Sequence, residues 1–124
     1  MTGDEGIGGG MARAGWLLRE GDVLTAAEMA DRFAERARGL LGRTSYDGAF
    51  LLPRCRSVHT AFMRFPLDVA YLDDEYTVVG VHRMAPWRVT ACARRGRHTL
   101  EAAAGSFERW GLRTGDRLEF REVG

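Results

Sequence analysis

The chain contains no lysine, no asparagine and no glutamine, and its one isoleucine is Ile7. All 18 basic residues are therefore arginine. The residues avoided are those with AT-rich codons, while Gly, Ala and Arg are abundant, so the bias reads as that of a high-GC genome. The missing lysine carries no mechanism. The chain also lacks an apolar run long enough to span a bilayer, which argues against an integral membrane protein. Its first residues show neither the short apolar core nor the small-residue cleavage site of a secretory leader, so a cytoplasmic location is expected. Cysteine is scarce, with Cys55 and Cys92 alone, and in that compartment both thiols are expected to stay reduced. Charge of one sign is lacking too: the formal net charge of +1 excludes a global attraction to nucleic acid or to a membrane surface.

What is present suits one domain. A chain of 124 residues with 45% hydrophobic content can bury a real core. Met1 to Gly10 is Gly-rich and without periodicity, so residues 1–12 are expected to be a disordered tail and residues 13–124 the domain. Met11 offers an alternative start. No internal repeat is visible.

The punctuation predicts short strands. Gly15 to Arg19 reads as a strand, Glu20-Gly21-Asp22 as a turn, and Val23-Leu24 as a short strand or the lead-in to a helix. Thr25-Ala26-Ala27-Glu28 has the form of a capping box. A helix is therefore predicted to about Leu41, with Met29, Phe33, Ala37, Leu40 and Leu41 on one stripe and Gly42 as its C-terminal cap. Strands are predicted at Ala49–Leu52, Val58–Met63, Leu67–Leu72, Tyr76–Met84, His98–Ala103 and Arg117–Val123. The third and fourth form a hairpin, and Val78, Val79 and Val81 suggest that its second strand is buried on both faces. Ala85–Arg97 reads as a loop and Ala104–Gly111 as a short helix or turn. The expected fold class is α+β and mostly β: a small, partly closed barrel or curled sheet of short strands with one long helix.

Several segments carry a family resemblance. They are Glu35-Arg36-Ala37-Arg38-Gly39-Leu40-Leu41-Gly42-Arg43, Val58-His59-Thr60-Ala61-Phe62-Met63-Arg64, Pro66-Leu67-Asp68-Val69-Ala70-Tyr71-Leu72-Asp73, Leu100 to Gly105, and Gly111 to Asp116. Together they resemble the domain of unknown function 192 family of bacteria and archaea, over roughly Val23 to Phe120. Many members carry Trp-Met-Lys-Asn-Thr before the Pro-Leu-Asp segment; here Phe62-Met63-Arg64-Phe65 stands there, without the amide. The resemblance implies a small β-rich domain and no particular activity.

The candidate chemistry centres on Cys55 to Asp74. Arg64 and Asp68 flank Phe65-Pro66 at a strand break, so both can project at one mouth of a barrel. They read either as a structural ion pair that fixes the turn or as an anion-gripping guanidinium held by a carboxylate. Glu101, in an apolar strand, is either solvent-facing or a partner for an arginine. Asp116 after Gly115 reads as a turn residue that bonds its own backbone. The leading reading is a non-catalytic binding or accessory module for an anionic small molecule or peptide. Its pocket is expected near His59, Thr60, Arg64, Asp68 and Glu101.

Two alternatives stay open. Cys55 and His59 are candidates for a thiolate nucleophile and its base in a hydrolase or transferase, against the plainer reading of a buried thiol. Tyr76 to Leu100 holds Arg83, Arg88, Arg94, Arg95 and Arg97, with Trp87 among them and no acid. Such a loop can bind RNA by phosphate contact and stacking, or simply be solvated, and no recognised nucleic-acid module is visible. Zinc could draw on Cys55, His59, Cys92 and His82 or His98. Without a CxxC pair or close histidine pair no metal site is expected, nor any other cofactor.

Overall fold

The computed structural model of the chain describes residues 13–29, 47–54, 57–59, 65–91 and 96–123. Its strands are β1 (Arg13–Arg19), β2 (Asp22–Met29), β3 (Ala49–Leu52), β4 (Ser57–His59), β5 (Leu67–Leu72), β6 (Val78–Met84), β7 (Val89–Ala91), β8 (His98–Ala103) and β9 (Leu118–Glu122). Seven of them make one sheet in the order β6-β5-β8-β3-β2-β1-β9. The short strands β4 and β7 pair as a separate antiparallel ribbon. The helix among the described residues is α1 (Ser106–Trp110). No helix among them is long and apolar enough to cross a membrane.

Local chemistry explains the hairpins. β1 and β2 are joined by Glu20 and Gly21, both with positive φ (53° and 85°). That is the two-residue turn whose twist matches a β-hairpin, and it requires the left-handed region at both positions. β5 and β6 are joined by a turn in which Asp73 Oδ1 accepts the amides of Glu75 (2.9 Å) and Thr77 (3.0 Å). Gly15 lies where β9 crosses β1: a methyl group there would press on the Arg121 carbonyl and the Phe120 ring. β2 and β3 run parallel, and the other ladders of the sheet are antiparallel.

The sheet curls without closing. Its terminal strands, β6 and β9, meet only at one corner, through a bridge between Thr77 and Arg117. Backbone hydrogen bonds reinforce that corner: Val78 N–H to Asp116 O (2.8 Å), Gly115 N–H to Val78 O (2.8 Å) and Leu118 N–H to Tyr76 O (2.9 Å). The curled sheet expected from the strand pattern is thus present, with its edges stitched rather than zipped.

Strand alternation sorts the core onto two faces. One face gathers Leu17, Leu51, Ala70, Leu72, Leu100, Ala102, Phe107 and Leu118. The other gathers Phe50, Leu52, Phe65, Leu67, Val69, Tyr71 and Met84. β5 lies between β6 and β8, and all six of its residues are buried, the apolar ones as expected of a strand covered on both faces and Asp68 as the exception.

Two expectations fail here. The capping-box residues Thr25 to Glu28 lie in β2, so the predicted helix does not start at Ala26. Parallel pairing of Ala27, Glu28 and Met29 with Ala49, Phe50 and Leu51 overrides the local helical signal. The rest of that predicted helix, with Phe33 and Leu40, falls outside the described residues, and the one long helix is absent among those described. Second, Val81 is 40% exposed, because β6 ends the sheet instead of lying within it.

Candidate functional site

Asp68 stands at the start of β5, two residues after Pro66, and is only 4% exposed. Such a carboxylate must be held by hydrogen bonds or by charge, and Asp68 is held by both. Its Oδ2 accepts the amides of Gly105 (2.9 Å) and Phe107 (3.1 Å), which lead into α1. Its Oδ1 accepts Nε of Arg83 at 3.1 Å. Asp68 therefore serves α1 as a capping group supplied from another element, since Gly105 at the N-cap has no side chain for the task. The far end of α1 is closed by Gly111, at φ 63°, with Leu112 N–H bonded to Phe107 O (2.9 Å) and Gly111 N–H to Glu108 O (3.1 Å), a Schellman arrangement.

Arg83 lies directly across β6 from Asp68 in the antiparallel register. Its side chain is 58% exposed although its partner is buried. The carboxylate engages Nε, and the two terminal nitrogens extend beyond that contact. Around them is an open hollow of about 310 Å³ lined by Asp68, Val81, His82, Arg83, Phe107 and Glu108. His82 also meets Tyr71 edge-on, with ring centroids 5.5 Å apart. The hollow offers an oriented guanidinium, an aromatic wall and Glu108 on its lining, whereas the His82 imidazole, one residue along β6, turns to the opposite face against Tyr71. A guanidinium pinned at Nε presents its other donors as a fork, the geometry that suits carboxylate or phosphate oxygens.

Of the residues that the sequence suggested would converge, the structure places Asp68 and Glu101 on different faces. Val69 is the register partner of Glu101, whereas Ala102 is the partner of Asp68. Glu101 and Asp68 thus occupy opposite faces of the sheet, and one hollow does not contain both. Glu101 is 2% exposed and flanked in register by Phe50 and Val69, which removes the solvent-facing reading. His59 pairs through its backbone with Val89 in the separate ribbon. Thr60, Arg64, Cys55, Arg94 and Arg95 lie outside the described residues, and so does Cys92. Two arginines of the acid-free stretch are each matched by an acid from elsewhere. Arg83 is held by Asp68, and Arg97 Nε approaches Asp74 Oδ1 at 3.7 Å. Arg88 donates to the carbonyl of Trp87 at 3.2 Å.

A second, larger hollow of about 640 Å³ lies at the stitched corner, lined by Asp74, Glu75, Tyr76, His98 and residues Arg117 to Phe120. His98 Nδ1 accepts the Arg54 amide (2.9 Å), and its ring meets Tyr76 edge-on at 4.8 Å. Burial pushes its pKa below the ordinary histidine value, Arg54 and Arg97 push the same way, and Asp74 and Asp73 oppose. An imidazole that accepts a backbone hydrogen bond is a structural fitting, and this one joins the loop after β3 to β8. Among the described residues, no group of three or more His, Cys, Asp or Glu side chains is placed to hold a metal ion.

The sequence signal for Arg83 is present but ambiguous. In the sequence Arg83 is one of several loop cations, because only strand register tells which arginine faces Asp68. Arg19 gives no functional signal either. It donates to Asp116 Oδ2 (3.0 Å), Gly111 O (3.1 Å) and Trp110 O (2.7 Å), and so ties the end of α1 to the β1–β9 side of the sheet. Asp116 does accept a backbone amide of its own turn, that of Arg113 (3.0 Å), as expected, in addition to pairing with Arg19.

Comparison with known proteins places this fold among others. The model of the DUF192 family, described as uncharacterized ACR, matches residues 17–120. A UPF0127 protein of Pyrococcus furiosus is 32% identical over 107 residues, covering 82% of this chain and 92% of the relative. One from Pyrococcus horikoshii is 33% identical over 109 residues, covering 84% and 91%. Among solved structures, a candidate transcription regulator from Sinorhizobium meliloti superposes with a TM-score of 0.70 at 23% identity, covering 88% of this chain and 93% of that one. A protein of unknown function from Novosphingobium aromaticivorans gives 0.69 at 20% identity, covering 87% and 84%. At these identities the two structures speak for the fold alone.

Proposed function

Since this chain belongs to the DUF192 family, whose description assigns no activity, we propose its function from the geometry of the Asp68–Arg83 hollow: a non-catalytic binding module for an anionic group. The supporting observation is the asymmetry of that pair. A buried carboxylate holds Nε of an arginine whose side chain is 58% exposed. Holding a long cationic side chain in one orientation lowers the entropy lost when an anion docks on it. Phe107 beside it offers an apolar wall. Glu108 on the same lining disfavours a polyanion and suits a ligand whose carboxylate or phosphate is accompanied by a hydrogen-bond donor.

The nucleophile reading on Cys55 and His59, and the RNA reading on Arg83 to Arg97, have no comparable observation among the described residues. The test is a thermal-shift and calorimetric screen with inorganic phosphate, acetate, glutarate and N-acetylglutamate. At least one of them is expected to stabilise the protein, and Arg83→Gln should lose that stabilisation while the variant stays folded. If none of the four stabilises the protein, or if Arg83→Gln responds as the parent does, the proposal is wrong.

A further inference from the structure

We infer that the anionic ligand is an extended acidic peptide segment of a partner protein, which adds to the open edge of β6 as an eighth strand. This rests on the reading of Arg83 as an anion-binding residue and goes further by naming the ligand and how it docks.

β6 is the terminal strand of the sheet, and from Val79 to Met84 its ladder partner among the described residues is β5 alone. The stitching to the β9 side stops at Val78. Beyond that point every second residue of an edge strand turns its N–H and C=O outward, where another extended chain can pair with them. Proteins usually blunt such an edge with proline, charged side chains, a bulge or a covering helix; β6 has charge at His82 and Arg83 and a register shift opposite Tyr71 and Leu72. Residues Val79 to Met84 include no proline and do include a glycine, Gly80. Gly80 carries no side chain there, and Val81 is 40% exposed.

Charge decides what chain would pair there. The edge holds His82 and Arg83, and no acid occurs from Tyr76 to Leu100. A second copy of this chain would lay one basic edge against another, whereas an acidic segment is complementary. Where β6 ends, Trp87 is 59% exposed and held at φ 63°, in the left-handed region that a bulky residue rarely adopts. An aromatic presented in that way at the end of an open edge is the residue type that anchors peptide contacts. Strand addition gives affinity through the backbone and specificity through alternate side chains. Here an acidic side chain of the added strand would meet the Arg83 fork, and the adjoining backbone N–H groups would be the donors that Glu108 can accept.

The experiment uses the full chain and three fluorescein-labelled heptapeptides read by fluorescence polarisation. The first alternates Val and Glu, the second replaces every Glu by Lys, and the third is the Val/Glu peptide with alternate amides N-methylated. The Val/Glu peptide is expected to bind at least tenfold more tightly than either of the others. Hydrogen exchange on binding should slow at alternate amides between Val79 and Met84. Trp87→Ala should weaken binding several-fold. If the N-methylated peptide binds as well as its parent, strand addition is refuted while the anion reading stands. Binding of glutarate without binding of the Val/Glu peptide would likewise refute strand addition alone. If the peptide does not bind and none of phosphate, acetate, glutarate and N-acetylglutamate binds, both readings fall together. If sedimentation shows a dimer in which the β6 amides are already protected without peptide, the edge belongs to a second copy and the inference is overturned.

Discussion

Replacing Asp68 by alanine tests how α1 is held. The substitution removes the acceptor for two amides, Gly105 (2.9 Å) and Phe107 (3.1 Å), and the partner of Arg83 (3.1 Å). The Phe107 amide is buried, and a buried donor left without an acceptor costs about 1–3 kcal/mol. The Gly105 amide is partly buried, so solvent recovers some of its loss, leaving about 1 kcal/mol. The Arg83 contact is with a side chain 58% exposed, and after solvent screening its share is at most about 0.5 kcal/mol. The sum is about 2–4 kcal/mol, a large part of the stability of a domain this size. Asp68→Asn should cost less, about 1–2 kcal/mol: its carbonyl can still accept from α1, while its NH2 group would face the Arg83 Nε–H donor to donor. Urea denaturation of the parent, Asp68→Ala, Asp68→Asn and Arg83→Gln would give the ordering directly. An Asp68→Ala stability within about 0.5 kcal/mol of the parent, by the usual linear extrapolation, would refute the claim that this carboxylate holds the helix. So would an Arg83→Gln loss as large as that of Asp68→Ala, because the burden would then rest on the ion pair.

Two further outcomes follow from the same structure. Arg19→Met should destabilise by about 1.5–3 kcal/mol, since it strips a charged donor from two carbonyls at the end of α1 and from Asp116. A double-mutant cycle with Asp116→Ala should show a coupling of about 1 kcal/mol, and additivity of the two changes would contradict the pairing. His98 supplies a pH dependence. Burial lowers its folded pKa below the unfolded value, so between the two values the unfolded chain binds the extra proton. Stability is therefore fully present above the ordinary histidine range and falls as pH drops below about 6.5, by no more than about 1.4 kcal/mol per pH unit from this one group. Chemical denaturation at a series of pH values should show that slope in the parent and a shallower one in His98→Phe.

Much of the strand pattern is readable without coordinates. β3, β5 and β8 begin and end where the residues predict, because each is a short, largely apolar stretch with a turn former at a boundary: Gly48 before Ala49, Pro53 after Leu52, Pro66 before Leu67, Gly96 shortly before His98. The same reasoning fails at Thr25 to Met29. The Thr-x-x-Glu spacing and the apolar residues three and four apart are local features of a helix start, yet the segment pairs with β3, about twenty residues away. β7 escapes for a related reason: Val89-Thr90-Ala91 has β-branched residues but only three positions, too few to stand out from the loop around it, and it is a strand by pairing with Ser57-Val58-His59.

The candidate site divides in the same way. The residues alone mark Asp68 as a carboxylate in an apolar strand that has to find a cation, and they offer Arg64 as that cation. The need is general, because an ionised group cannot be buried unpaired, whatever the fold. That Arg83 answers it, and that Glu101 turns to the other face, is decided only in the folded chain. Side chains alternate across a strand with a period of two, so a neighbour in sequence means little until the register of β5 against β6 and β8 is set. Register depends on every pair along the ladder at once, and no short stretch of sequence contains that information.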